Sequence, residues 1–193
     1  MCSSDLGSRA AASHTGKLTA DGAIWRGLAA QFAIIDASSI DHALTTALIF
    51  TKHGQSPGTT IGGMGQGGGM TVLLADLCSR SGITAPVPSP ATQAKMREAL
   101  PTVTPSNPFD TGGVYLGGDG TELPRALRAL AEEPSIGVMV IFAIPTHRDR
   151  TRVIIGAFVE ATRNLPKPVI ILSYDSDLSE AHRMMREIGR AHV

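Results

Sequence analysis

The sequence predicts a three-layer α/β/α domain in which a parallel sheet lies between helices, over residues 57–186. From residue 58 onward, short apolar segments alternate with segments that repeat apolar residues at helical spacing, the pattern that builds such a sheet. Residues 136–142 and 168–173 are almost uninterruptedly apolar, which is typical of strands covered on both faces. The connections are short, which favours the right-handed crossovers that join parallel strands.

The elements of this domain follow from local signals in chain order. A short strand is predicted over 59–63, a glycine loop over 65–69, and a buried helix over 70–79, which is apolar on most sides. Pro90, in the first turn after a turn at Ser89, marks the start of a helix that runs to Leu100. The remaining predicted elements are a second strand at 83–87, a loop or very short strand at 107–113, an amphipathic helix at 121–133, a strand at 136–142, a helix at 146–163, a strand at 168–173 and a final helix at 177–185. This order predicts a flavodoxin-like arrangement, whose ligands bind at the carboxyl ends of the strands.

The preceding residues form a different region. Apolar residues at helical spacing predict a helix over 21–33, and Ser38 or Ser39 caps a second helix that continues to about Lys52. The break at 53–58, rich in Gly, Ser and Pro, is the best candidate for a domain boundary. We therefore expect residues 7–56 and 57–186 to belong to separate domains.

The two ends of the chain read as translated nucleic-acid adapters. Residues 2–6 back-translate to a sequence containing GCTCTTCCGATCT, and residues 187–193 to one containing its reverse complement, AGATCGGAAGAGC. We expect residues 1–6 and 187–193 to be such scars, which leaves residues 7–186 as an internal part of a longer protein.

The composition excludes several classes of protein. Seventeen Lys and Arg balance seventeen Asp and Glu, so the basic excess of a nucleic-acid-binding protein is missing. No apolar run approaches the roughly 20 residues that span a bilayer. The two cysteines, Cys2 and Cys78, do not make a disulfide scaffold and favour a cytoplasmic setting. The chain shows no cluster of Cys and His with the spacing of metal ligands, so we expect no metal site.

The glycine loop is the first candidate site. Residues 63–68 fit the dinucleotide pattern G-x-G-x-x-G between a strand and a helix, but the stretch 85–89 lacks the acidic residue that would bind the ribose, and no Lys-Ser or Lys-Thr pair follows as in a phosphate-binding P-loop. Two readings stay open. Glycines at a helix N-terminus allow backbone N–H groups to bind an anion, and the same residues also form a tight turn that binds nothing.

Three further segments carry candidate residues. His14 lies in a small, polar stretch and is either a solvated loop histidine or a phosphoryl acceptor, since neutral imidazole offers a nitrogen lone pair. Residues 141–149 run from a strand end into a helix, at the same edge of the sheet as the glycine loop. Asp110 follows another predicted strand and either orients a ligand or caps a turn.

Taken together, these segments resemble the ADP-forming acyl-CoA synthetases, the acetate–CoA ligase group related to succinyl-CoA synthetase. Ser13-His14-Thr15-Gly16 resembles the segment that carries their phosphorylated histidine, and Asn107-Pro108-Phe109-Asp110 resembles an N-P-x-D segment of the family. Residues 65–69, with Thr71 and Asp76, are similar to the start of the helix that faces the phosphohistidine. Residues 141–145 stand where the family has I-F-G-G-I. The four motifs occur in the family's order and cover nearly all of residues 7–186.

The resemblance implies a function and a set of site residues. The full enzyme would interconvert acyl-CoA, ADP and phosphate with a carboxylic acid, CoA and ATP, through an acyl phosphate and a phosphohistidine at His14. Residues 7–56 would then be the tail of a CoA-ligase α-type domain, and 57–186 the succinyl-CoA-ligase-like domain. The residues implied in binding the phosphate or acyl group are Ser13, Thr15, Gly16, Gln66, Gly67, Gly68, Gly69, Asn107, Asp110, Ala143, Ile144 and Pro145.

The implied partners lie outside this chain. CoA and Mg-ATP or ADP would be bound mainly by a Rossmann domain and an ATP-grasp domain of the same polypeptide or of a partner subunit, so we expect no cofactor on this chain and no turnover by it alone. The small ligand would be a carboxylic acid or acyl phosphate, and the full-length enzyme would be an oligomer. Gln66 and Ala143 depart from the family's Asn or Ser and Gly, which leaves the shape of the carboxylate pocket open.

Two alternatives belong to other classes. One is a non-catalytic CoA- or acyl-binding module, such as the ligase-like part of a protein acetyltransferase, in which the histidine is idle. The other is a flavin-binding flavodoxin, which is disfavoured because Trp25, Tyr115 and Tyr174 are scattered along the sequence and few aromatic side chains are present to stack a flavin.

Overall fold

The computed structural model describes residues 22–54, 58–112, 122–142, 156, 162, 165 and 167–172. The chain divides into two compact units, residues 1–47 and 48–193. This division falls nine residues before the predicted boundary between residues 56 and 57, and the assignment of domains stays a prediction. The predicted helix at 177–185 and both chain ends lie outside the described residues, as does nearly all of the helix predicted at 146–163.

The described part of the first unit contains helix α1, Gly22–Gln31, and most of helix α2, Ile40–His53. Ser39 Oγ accepts a hydrogen bond from the His42 N–H at 3.1 Å, which confirms the predicted serine cap of α2. Of the described residues 22–54, only Ala29 is buried. Apolar side chains recur at intervals of four residues along both helices and are exposed, as at Ile24 and Leu28 in α1 and at Ile40 and Leu44 in α2.

The second unit is built on four parallel strands in the order β2-β1-β3-β4. The strands are β1, Ile61–Gly65; β2, Phe109–Asp110; β3, Val138–Phe142; and β4, Val169–Leu172. The helices described here are α3, Gly68–Arg80; α4, Pro90–Ala99; and α5, Glu122–Ala131. Strand β1 pairs with β3 along its whole length, Ile61 opposite Val138 and Gly65 opposite Phe142.

Alternate residues of the strands supply two separate cores, because successive side chains in a strand point to opposite faces of the sheet. On one face Met64, Met139 and Ile141 pack in a cluster that includes Met96 of α4 and Leu127 of α5. On the other face Ile61, Val140 and Phe142 pack with Leu74 and Cys78 of α3. The predicted three-layer α/β/α class with a parallel sheet is therefore confirmed.

Side chains packed on the two faces of the sheet explain why β1 is rich in glycine. A Cβ atom on Gly62 would lie 2.6 Å from Met139 Sδ, and one on Gly63 would lie 2.7 Å from Leu74 Cδ2. A side chain at either position would therefore have to displace core atoms, those of one core at Gly62 and those of the other at Gly63.

Three sequence predictions need correction. The strand predicted at 59–63 lies two residues later. The strand predicted at 83–87 is reduced to one parallel bridge, Thr60 to Thr84, because Pro86 and Pro88 have no N–H to donate to a ladder. Helix α3 is not buried on most sides, since Val72, Leu73 and Leu77 are between 41% and 62% exposed. Nowhere in the described ranges is there a helix both long and apolar enough to cross a membrane.

Candidate functional site

The candidate site lies at the carboxyl edge of the sheet, where β1 ends and α3 begins. Strand β1 extends to Gly65, so the glycine loop (residues 65–69) contains only two residues, Gln66 and Gly67, outside regular structure. A Cβ atom on Gly65 would lie 3.0 Å from Met70 Cβ and 3.1 Å from Thr71 N, so the helix starts in close contact with the strand end.

Gly67 makes the sharp turn from strand to helix. Its φ of 122° lies in the region that side chains disfavour, and it occupies the N-cap position of α3 without a side-chain hydrogen bond of its own. Its carbonyl accepts from Met70 N at 3.0 Å, which begins the helix. Gln66 before it is 9% exposed, so its side chain is largely withdrawn from solvent.

Asp110, at the end of the neighbouring strand β2, accepts a hydrogen bond from the turn between β1 and α3. Its Oδ1 accepts hydrogen bonds from Gly67 N at 2.8 Å and from Gly112 N at 2.7 Å. The next residue, the fully buried Thr111, donates from both its N–H and its hydroxyl to the Gly65 carbonyl. The carboxylate also complements the positive end of the α3 dipole.

The N–H groups of Gly68 and Gly69 remain available at this helix end. In the part of the chain that the structure describes, neither has an acceptor, as expected for the first turn of a helix. Both residues are exposed, and a Cβ on Gly69 would meet nothing within 4 Å. This combination of exposed N–H donors and a positive dipole end is what an anion needs.

Asn107 holds the backbone at the start and the middle of β1, away from the carboxyl edge. Its Nδ2 donates to the carbonyls of Ile61 at 2.7 Å and Pro86 at 2.9 Å, and its Oδ1 accepts from Gly63 N at 2.7 Å. Both amide protons are therefore used on the backbone, and these contacts account for Asn107 without a ligand. Nothing in the sequence signals these contacts, because they join three segments that are distant along the chain.

A second carboxylate, Glu133, was not anticipated from the sequence. It is 5% exposed and lies just before β3, where its Oε2 accepts from Ser89 N at 3.0 Å and from Ser89 Oγ at 2.7 Å. Ser89 in turn caps α4 by accepting from Thr92 N at 3.3 Å. Hydrogen bonds from Thr92 and Ser89 lower the pKa of Glu133 from 4.5 to about 2.

The structure brings together some of the predicted site residues and says nothing of others. Gln66, Gly67, Gly68, Gly69 and Asp110 meet at the carboxyl edge, whereas Asn107 contacts the start and the middle of β1. Ser13, His14, Thr15, Gly16, Ala143, Ile144 and Pro145 lie outside the described residues. Because β3 pairs in parallel with β1 and ends at Phe142, the chain leaves β3 on the same edge as the glycine loop. Within the described residues, no group of three or more His, Cys, Asp or Glu side chains is placed to hold a metal ion.

The chain was compared with known protein families, sequences and structures. No protein-family profile matches the chain. It is 30% identical over 191 residues to a protein named acetate–CoA ligase [ADP-forming] II subunit alpha, from Pyrococcus furiosus, an alignment that covers 95% of this chain. The chain is related to the ADP-forming acetate–CoA ligases. The resemblance predicted from the four motifs is thus confirmed.

Two further comparisons agree with this relationship. An acetate–CoA ligase [ADP-forming] I from Archaeoglobus fulgidus is 27% identical over 143 residues. The fold matches that of a dinucleotide-forming acetyl-coenzyme A synthetase from Candidatus Korarchaeum cryptofilum, with a TM-score of 0.79 over 98% of this chain at 22% identity. That structure was determined in complex with phosphate and ADP. The chain spans 40% of the length of the Pyrococcus ligase subunit and 41% of the Korarchaeum chain.

Proposed function

We propose that this chain is the phosphohistidine and carboxyl-edge portion of an ADP-forming acyl-CoA ligase of the cytoplasm. The observation that carries the proposal is the pair of exposed N–H groups at Gly68 and Gly69, which lie at the N-terminus of α3 in a chain related to these ligases. A phosphoryl group needs donors and a positive dipole end, and both are present there.

The proposed reaction has three steps. Phosphate displaces CoA from acyl-CoA and gives an acyl phosphate. A nitrogen of His14 then attacks phosphorus, which breaks the bond to the acyl oxygen and releases the carboxylate. The phosphoryl group finally passes from His14 to ADP and gives ATP. Each step runs in both directions, so ATP also phosphorylates His14.

The glycine loop serves the second step. Gly68 and Gly69 would donate to the phosphoryl oxygens, while Gln66 and the residues that follow β3, Ala143 to Pro145, would enclose the acyl carboxylate. Ser13, Thr15 and Gly16 would shape the loop that carries His14. A helix end is suited to this task because its dipoles are already oriented and require no reorganisation as charge moves onto the phosphoryl oxygens.

The remaining machinery belongs to other domains. CoA would be bound by a Rossmann domain and Mg-ATP or ADP by an ATP-grasp domain, in the same polypeptide or in a partner subunit of a larger oligomer. The exposed apolar side chains of α1 and α2, among them Ile24 at 61% and Ile40 at 79% exposed, support a place for these helices in a larger domain. On this proposal the 193-residue chain does not turn over alone.

Labelling of the native gene product tests the proposal. Incubation with γ-labelled ATP, with the ATP-grasp subunit added if it is separate, is expected to leave acid-labile phosphate on the polypeptide. His14→Asn should abolish both the label and turnover. His42→Asn is the matched control, because His42 is an exposed histidine near the start of α2, and it should keep both.

Two results would contradict the proposal. If His14→Asn kept the label and full turnover, His14 would not be the acceptor. If the wild-type protein took up no label in the presence of a functional ATP-grasp domain, the chain would instead be a non-catalytic, CoA- or acyl-binding module.

A further inference from the structure

Asp110 makes a set of contacts that a ligand-binding carboxylate would not be expected to make. Both of its side-chain hydrogen bonds go to backbone N–H groups, and both are accepted by the same oxygen, Oδ1. We infer that Asp110 is a positioning residue, which holds the glycine loop in shape so that Gly68 and Gly69 bind the anion. The identity of that anion, a phosphoryl group, rests on the proposed function.

The carboxylate is itself held firmly in place. Gly65 and Asp110 are register partners in the pairing of β1 and β2. Thr111 continues this pairing, with its N–H 3.0 Å and its hydroxyl oxygen 3.3 Å from the Gly65 carbonyl oxygen. Gly112 N then turns back onto Asp110 Oδ1 at 2.7 Å. The strand pairing of β1 with β2 and the bond from Gly112 N therefore hold Asp110 in position to accept from Gly67 N.

Gly67 is the residue that needs such support. It combines a φ of 122° with a ψ of 148° at the N-cap position, where a serine or aspartate would normally accept from the first turn of the helix. Glycine has no side chain to do so. The strand-to-helix turn is fixed instead from the next strand, by the 2.8 Å bond from Gly67 N to Asp110.

This bond also decides which N–H groups serve a ligand. The Gly67 N–H is directed to Asp110, whereas those of Gly68 and Gly69 have no acceptor among the described residues. Asp110 Oδ2 lies 3.5 Å from the position that a Cβ on Gly68 would occupy, so a negative charge already borders the loop. An anion bound directly beside Oδ2 would be repelled, which leaves the exposed side of Gly68 and Gly69 as its place.

Two substitutions at Asp110 distinguish positioning from a charged role. Asp110→Asn keeps an oxygen that accepts from both N–H groups, with bonds about half as strong as those to a carboxylate. Asp110→Ala removes both bonds and frees the loop, and a displacement of about 1 Å at a reacting group is enough for a loss of about 100-fold. In the native gene product we expect phosphorylation of His14 to slow about 100-fold in Asp110→Ala and no more than about 10-fold in Asp110→Asn.

Amide hydrogen exchange in the 193-residue chain provides a readout that does not depend on the reaction. The Gly67 and Gly112 amides should be protected in the wild-type chain and in Asp110→Asn, and should exchange faster in Asp110→Ala while the amides of β3 remain protected. Unchanged exchange at Gly67 in Asp110→Ala would overturn the inference. So would a loss of phosphorylation in Asp110→Asn as large as in Asp110→Ala, because the charge rather than the geometry would then be required. If the wild-type protein formed no phosphohistidine, the proposed function would fail, and the exchange data alone would still decide the role of Asp110.

Discussion

Helices α3 and α4 begin in similar ways, but their N-termini differ in how many N–H groups are left to bind a ligand. Helix α3 receives a carboxylate from Asp110, 43 residues further along the chain, and α4 receives one from Glu133, 44 residues after Ser89. In both cases a backbone N–H at the start of the helix donates to a carboxylate supplied by a distant segment. The arrangement is favourable at each helix N-terminus, where the dipole stabilises negative charge.

The difference lies in what is left exposed. At α4 most first-turn donors are used: Ser89 accepts from Thr92 N, Pro90 has no N–H, and Glu133, at 5% exposed, accepts both the N–H and the hydroxyl of Ser89. Among the described residues, only the Ala91 N–H of this first turn has no acceptor. At α3 the cap is a glycine without a side chain, Asp110 is half-buried, and the exposed Gly68 and Gly69 keep their N–H groups. Among the described residues, the carboxyl group with the largest pKa shift thus belongs to a structural contact, and the helix start with two unused N–H groups is the candidate site.

The largest expected effect on stability is at Glu133. A carboxyl whose pKa falls from 4.5 to about 2 on folding contributes on the order of 3 kcal/mol at neutral pH. Because the folded pKa is the lower one, this contribution is present above about pH 4.5 and is lost as pH falls through about 2. Glu133→Gln should therefore lower the free energy of unfolding by on the order of 3 kcal/mol at pH 7, and by much less at pH 2, as measured by urea denaturation at each pH.

The neighbouring Glu132 is the matched control. Its side chain is 51% exposed and pairs with Lys95 at 3.6 Å, a kind of surface contact that is worth little. Glu132→Gln should change the free energy of unfolding by less than about 0.5 kcal/mol at neutral pH. Equal losses in the two variants would mean that Glu133 does not make the structural contact described above.

A smaller effect on stability, with a separate effect on binding, is expected at Gly69. A Cβ there meets nothing within 4 Å, and alanine is favoured over glycine in a helix by up to about 1 kcal/mol. Gly69→Ala should therefore stabilise the chain slightly, yet its methyl group would obstruct an anion approaching the N–H groups and so slow phosphorylation of His14 in the native gene product. Gly27→Ala, in the exposed part of α1, should give the same small stabilisation and leave phosphorylation unchanged. A Gly69→Ala variant with normal phosphorylation would indicate that no ligand reaches this helix end.

The sequence was most informative where local signals and packing agree. The serine cap of α2, the start of α4 at Pro90, the apolar run of β3 and the glycine loop before α3 were all predicted correctly, because a cap, a doubly covered strand and a tight turn each need particular residues. The family relationship followed from four short motifs in order. The strand predicted at 83–87 failed because the prolines at 86 and 88 outweighed the apolar pattern.

The contacts that organise the site were not accessible in the same way. The bonds from Gly67 to Asp110, from Asn107 to three backbone groups and from Ser89 to Glu133 join segments about 20 to 45 residues apart, and they depend on how the strands are ordered in the sheet. The sequence predicted both Asn107 and Asp110 as site residues. It did not show that both bind the backbone, or that Asn107 contacts the start and the middle of β1 rather than its carboxyl end. Glu133 gave no signal, since an acid in a turn is usually solvated.

Titration of the isotope-labelled 193-residue chain with inorganic phosphate, followed by amide chemical shifts, compares the two helix starts most directly. The Gly68 and Gly69 amides are expected to shift in a saturable manner, while those of Ser89 and Thr92 stay in place because they already donate to Glu133 and to Ser89 Oγ. Unmoved Gly68 and Gly69 amides, or equal shifts at both helix starts, would contradict the assignment of the carboxyl edge as the anion site.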